Sequence, residues 1–98
     1  MKRREYPLNI EVNGRKIKKA VIDPHYEIKH SDSITDEIIL DLVALLDGGT
    51  FPVQTRDDIF EYFVTDNLRL EGKRYKLVWL LEKNEIYIGI VNAYRRQS

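Results

Sequence analysis

The sequence predicts an α+β domain: an N-terminal β-hairpin, then one main helix packed on an antiparallel sheet of about four strands. Three observations predict it. Asn13-Gly14 separates two strand-like runs, "LNIEV" and "RKIKKAVID". Apolar residues recur at helical spacing through "SDSITDEIILDLVALLDGG". Two alternating apolar runs, "RYKLVWLLE" and "EIYIGIVNAYRR", close the sequence.

The first element follows from its turn. Asn-Gly is the strongest short hairpin signal, because both central positions of a two-residue turn need positive φ. That turn sets Ile10 opposite Ile17, and Asp23-Pro24 breaks the second strand. The helix follows from its cap and its stripe. Ser33, with Asp36 three residues on, reads as an N-cap, and Asp36 and Glu37 suit the positive end of the helix dipole. Ile34, Ile38, Leu42, Leu45 and Leu46 form the apolar stripe, widened by Ile39 and Val43, and Gly48-Gly49 stops the helix.

"TRDDIFEYFVTDNLRL" is read as a strand on its aromatic and β-branched residues, against the helix that Thr55 and Asp58 could cap. The last two runs are read as strands around a two-residue turn at Lys83-Asn84. One face then carries Tyr75, Leu77, Trp79 and Leu81 against Ile86, Ile88 and Ile90, and the helix is expected to pack there. The other carries Arg74, Lys76, Val78 and Leu80 against Tyr87, Gly89, Val91, Ala93 and Arg95. With no bulky side chain at Gly89, this second face is expected to let a ligand lie flat.

A chain of 98 residues supplies one core, so residues 1–98 read as a single domain. Its 43% hydrophobic and 33% charged residues place it with soluble globular proteins. Without cysteine it has no disulfide, no thiolate nucleophile and no cysteine-based zinc site. No apolar run approaches the roughly 18 residues of a membrane helix, and "MKRREYP" is not followed by a signal-peptide core. A cytoplasmic site of action is expected, whether or not the domain is delivered as part of a larger effector.

The net charge is zero, but it is unevenly spread. Residues 1–20 hold seven basic and two acidic side chains, residues 21–66 two and eleven, and residues 67–98 seven and three. Such a distribution gives basic ends around an acidic middle, and the local field governs phosphate binding more than the sum does. Lys16, Lys18 and Lys19 are read as guards of an exposed strand edge.

No metal site is expected. His25 and His30, the only histidines, do not share a helix face, and the nearby carboxylates are accounted for by capping. Gly48-Gly49 follows a helix, where a phosphate loop would precede one, and no nucleophile elbow is present. What remains is a set of His, Lys, Arg and Tyr side chains suited to cleaving RNA without metal or other cofactor. That reaction needs a base for the 2′-hydroxyl, cations for the phosphorane and an acid for the leaving oxygen. His30 is expected to transfer the proton, with His25 second. Arg95, Arg74 and Lys76 would hold phosphate together with Lys29 and Arg96, and Tyr94 would stack on a base or donate a proton.

"EIKHSDSITDE" resembles the stretch of BrnT-type toxins in which Lys-His precedes the main helix. "YKLVWLLEKNEIYIGIVNAYRR" resembles the closing hairpin of the barnase–EndoU–colicin–RelE class of small bacterial RNase toxins. Over residues 24–96 the chain is thus similar to the BrnT and RelE branches of that class. The resemblance implies an endoribonuclease toxin that cuts mRNA or tRNA and is held by a cognate antitoxin or immunity protein. It assigns Lys29 and His30 to the Lys-His element and Arg95 or Arg96 to the terminal arginine. The alternative is a non-catalytic domain that binds a protein through the open sheet face.

Overall fold

The computed structural model describes residues 3–23 and 34–96. Among these residues it is an α+β fold with one helix, α1 (Asp36–Ala44), against a six-stranded mixed sheet. The strands are β1 (Arg4–Val12), β2 (Arg15–Ile22), β3 (Thr55–Arg56), β4 (Phe60–Leu70), β5 (Lys73–Glu82) and β6 (Tyr87–Arg96), in the spatial order β1-β2-β6-β5-β4-β3. The expected count of about four strands is too low, and the sheet is not wholly antiparallel. The N-terminal hairpin joins it through a parallel pairing of β2 with β6, from Lys19 opposite Tyr87 to Ile22 opposite Ile90. β2 is therefore interior, so Lys16, Lys18 and Lys19 do not guard an edge.

The hairpin forms as its turn dictates. Asn13 and Gly14 take φ of 53° and 73°, and Ile10 lies opposite Ile17. The exposed side of β1 is partly closed by the chain that leaves the helix: Gly48 donates to the Glu11 carbonyl, and the Asp47 carboxylate accepts the Glu11 N–H. Pro7, which has no N–H to offer, further blunts this edge. At the opposite edge β3 is only two residues long.

Ser33 lies outside the described residues, and Thr35 caps α1, its hydroxyl accepting the Ile38 N–H at 3.2 Å. The buried stripe is Ile34, Ile39, Leu42, Val43 and Leu46, while Leu45 is 47% exposed. The centre of the stripe thus lies one residue away from the expected Ile38 and Leu45. An Asp36 carboxylate in the first turn takes two hydrogen bonds from Arg4, at 2.5 and 2.8 Å, and one from the Tyr6 hydroxyl, tying the helix start to β1.

The helix packs where the alternation of β5 requires. Tyr75, Leu77, Trp79 and Leu81 are buried with Ile88 and Ile90, and Trp79 is wholly inaccessible. Its ring stacks on Phe63 with centroids 4.0 Å apart and meets the edge of Phe51 at 5.6 Å. The indole N–H donates to Thr65 at 2.9 Å, which satisfies the one polar atom this large side chain carries inward. Burying each such side chain contributes roughly 1.5–3 kcal/mol. Ile86, expected on this face, is 52% exposed.

Two corrections to the last strands bear on function. β5 and β6 are not joined by a two-residue turn: Leu81 pairs with Ile88, so Lys83–Ile86 form the connection. A bulge then intervenes, because Trp79 pairs with Ile90 while Val78 pairs with Asn92, leaving Val91 as an extra residue in β6. Beyond it, the face assignment of β6 is reversed from the simple alternation. Ala93 and Arg95 share the helix side with Leu77 and Tyr75, whereas Asn92, Tyr94 and Arg96 share the open side with Val78, Lys76 and Arg74.

Candidate functional site: a basic end on the open sheet face

With α1 on one side, the other face of the sheet is built of cross-strand rows. Tyr62, Leu80, Gly89 and Val21 form one row; Val64, Val78 and Asn92 the next. Lys76 and Tyr94 follow, and Arg69, Arg74 and Arg96 complete the end. The face therefore grades from apolar to strongly basic along the strands.

The Gly89 position is not the flat spot expected. A Cβ there would stand 2.7 Å from Leu80 Cδ1, so Leu80 already lies across the glycine. A shallow hollow beside it is lined by Leu80, Tyr87, Gly89 and Val91, with Arg3 and Asp23 at its rim. The Tyr87 hydroxyl donates to Glu82 at 2.5 Å. Burial, then this hydrogen bond to a carboxylate, pushes the Tyr87 pKa up to about 12. That phenol is a fixed structural donor at neutral pH.

The basic end is more promising chemically. The Lys76 ammonium sits 5.6 Å from the centre of the Tyr94 ring. Such a contact is worth about 0.5–1 kcal/mol at an accessible site, small enough for an incoming phosphate to compete. Asn92, 7% exposed, donates from Nδ2 to the Tyr94 hydroxyl at 2.9 Å and so holds the ring in place. Arg96 meets Asp66 at 3.5 Å. Asp66 belongs to a second bulge, between Thr65 and Leu68 of β4, where Asn67 takes a φ of 64°. The two bulges together shape this end. One turns Tyr94 and Arg96 to the open face; the other brings a carboxylate beside Arg96.

Of the residues selected from sequence, Arg74, Lys76, Tyr94 and Arg96 come together here. Arg95 flanks them from the helix side of β6, paired with Tyr75 and exposed. His25, Lys29 and His30 lie outside the described residues. Sequence reasoning missed Asn92 and Arg69. A lone asparagine inside an apolar strand was the available signal for the first. For the second there was none without the register of β4.

This cluster can neutralise phosphate oxygens and present an aromatic face to a base. Among the described residues no three His, Asp or Glu side chains are grouped to hold a metal ion, and no helix is long and apolar enough to cross a membrane. Comparison with protein families, curated proteins and solved structures finds no match to this chain.

Proposed function

We propose that this domain is an endoribonuclease of the bacterial toxin type that works without a metal ion, acting on mRNA or tRNA in the cytoplasm. One observation supports the reading: Lys76 and Tyr94 form a cross-strand pair flanked by Arg74 and Arg96 on the sheet face opposite α1. In this scheme His30, or His25, takes the proton from a ribose 2′-hydroxyl, and that oxygen attacks the adjacent phosphorus. The bond to the 5′-oxygen breaks, leaving a 2′,3′-cyclic phosphate and, once the oxygen is protonated, a 5′-hydroxyl. Arg74, Lys76 and Arg96 offset the charge that builds on the phosphorane. Tyr94 stacks on a neighbouring base or supplies the proton to the leaving oxygen. A cognate antitoxin or immunity protein would block the same face.

A second reading, a protein-binding domain without catalysis, is favoured by the apolar middle rows, where Val64 is 36% exposed beside Val78. An RNA-cleavage assay in excess EDTA separates the two. Cyclic-phosphate products that vanish in His30→Ala and in Arg74→Ala support the nuclease. Intact RNA at every enzyme concentration overturns it and leaves the binding reading.

A further inference from the structure

Arg69, Arg74 and Arg96 occupy three adjacent strands and directly opposed positions: Arg69 pairs with Arg74, and Arg74 with Arg96. Leu68 and Leu70, on either side of Arg69, pack against the core, which turns Arg69 to the same open face as its two partners. We infer that these three arginines form a binding row for the phosphodiester backbone of single-stranded RNA, with Arg69 as its outermost member. The inference rests on the RNA reading of this face and adds to it a residue, a direction and a strandedness.

Like charges directly opposite each other across strands are destabilising, and here two such juxtapositions follow in line. Adjacent strands lie about 4.8 Å apart, so the row spans roughly 10 Å at its base before the long side chains fan out. Lys76 adds a fourth cation one row inward. Asp66 reaches Arg96 at 3.5 Å, but Arg69 has no hydrogen-bond or ion-pair partner among the described residues. A polyanion that reaches Arg69 would replace its repulsion from Arg74 with charge-assisted hydrogen bonds.

The strandedness follows from Tyr94, which stands two residues before Arg96 on the same face, in the row next to the arginines. A base stacks on that ring only if it is unpaired, whereas a duplex presents its backbone and keeps its bases inside. The backbone would therefore run across the strands along the arginines, with a base turned inward over Tyr94.

The test is binding of a short 2′-O-methyl RNA, which lacks the attacking hydroxyl, measured by fluorescence anisotropy over a salt series. Each phosphate contact to a single strand contributes about 0.7 to the slope of log affinity against log salt. Arg69→Gln should lower the slope by about that amount, Arg69→Lys should keep it, and Lys83→Gln, on the β5–β6 connection away from the row, should leave it unchanged. Because Arg69 is exposed, these variants should fold, which thermal unfolding checks directly. An Arg69→Gln slope equal to wild type, or one matched by Lys83→Gln, overturns the row. A blunt duplex of the same sequence binding as tightly overturns the single-strand assignment, and so does equally tight competition by inorganic pyrophosphate. Cleavage with an unchanged Arg69→Gln slope removes the row and leaves the nuclease standing. A row that binds in a domain that never cleaves does the reverse.

Discussion

Asn13 grips the backbone of Phe51 at two points: its Oδ1 accepts the Phe51 N–H at 2.6 Å, and its Nδ2 donates to the Phe51 carbonyl at 3.0 Å. The same asparagine holds the positive φ of the first hairpin turn. One residue thus shapes the turn and seats Phe51 edge-on against Trp79, 38 positions downstream of the turn for Phe51 itself.

Two substitutions separate these roles. Asn13→Gly keeps the turn geometry and loses both hydrogen bonds, each worth about 0.5–1.5 kcal/mol. Asn13→Ala loses the same bonds and, unlike glycine, keeps a Cβ in the left-handed region without asparagine's polar side chain to offset it, which places it roughly 1–2 kcal/mol below Asn13→Gly. Urea unfolding should therefore rank wild type above Asn13→Gly above Asn13→Ala.

The aromatic centre should be the least tolerant part of the fold. Phe63→Ala removes the ring stacked on Trp79 and should cost about 3–5 kcal/mol, with Leu42→Ala on the helix side at about 2–5 kcal/mol. Thr65→Val leaves the indole N–H without its acceptor and should cost about 1–3 kcal/mol although it hardly alters volume. Chemical denaturation read by Trp79 fluorescence measures all three.

Stability should fall at both ends of the pH scale for identifiable reasons. Tyr87 holds its proton more tightly when folded, so its contribution is complete below about 10 and is lost as pH climbs toward about 12. Tyr87→Phe should flatten that alkaline limb. Asp57 accepts the N–H groups of Phe60 and Ile59, which hold its carboxyl below the usual carboxylate range. Its contribution is present above the ordinary carboxylate pKa and is lost as pH falls through the lowered value, so Asp57→Asn should weaken the acid dependence. Thermal melts across pH read both.

Tyr94 should act through its ring. Tyr94→Ala should weaken binding of single-stranded RNA by about 1–3 kcal/mol, whereas Tyr94→Phe should retain most of the affinity. Arg96→Ala should weaken binding more than Arg95→Ala, because only Arg96 shares the open face with Lys76. Anisotropy titrations with non-cleavable RNA give both comparisons.

How much of this was legible in the sequence depends on how local each cause is. Asn13-Gly14 dictates its own turn, so the Ile10–Ile17 register could be read directly. The strict alternation of β5 likewise announces which side of Trp79 is buried. The bulge at Val91 leaves no mark in "YIGIVNAYRR", since Val, Asn and Ala there fit either pleat. A single extra residue therefore moved Arg95 off the open face and put Arg96 on it. Glu71-Gly72 forms a two-residue turn with φ of 52° and 78°, yet lacks the Asn or Asp that would have marked it. The parallel β2–β6 pairing was illegible for another reason: it joins segments more than sixty residues apart through side chains that any apolar strand could match. The basic end was only half legible, because Arg69 gains its meaning from a register set by the Asp66-Asn67 bulge.

β6 is the last strand in sequence yet lies third in the sheet, between β2 and β5. On one side it holds the β1–β2 hairpin, and on the other it holds β5, β4 and β3. A growing chain that has reached only Glu82 thus owns two halves of a sheet with no strand paired between them, and the half containing β5 lacks Tyr94 and Arg96. During synthesis the basic face would be assembled by the same strand insertion that closes the fold, so binding capacity and completed structure would arrive together.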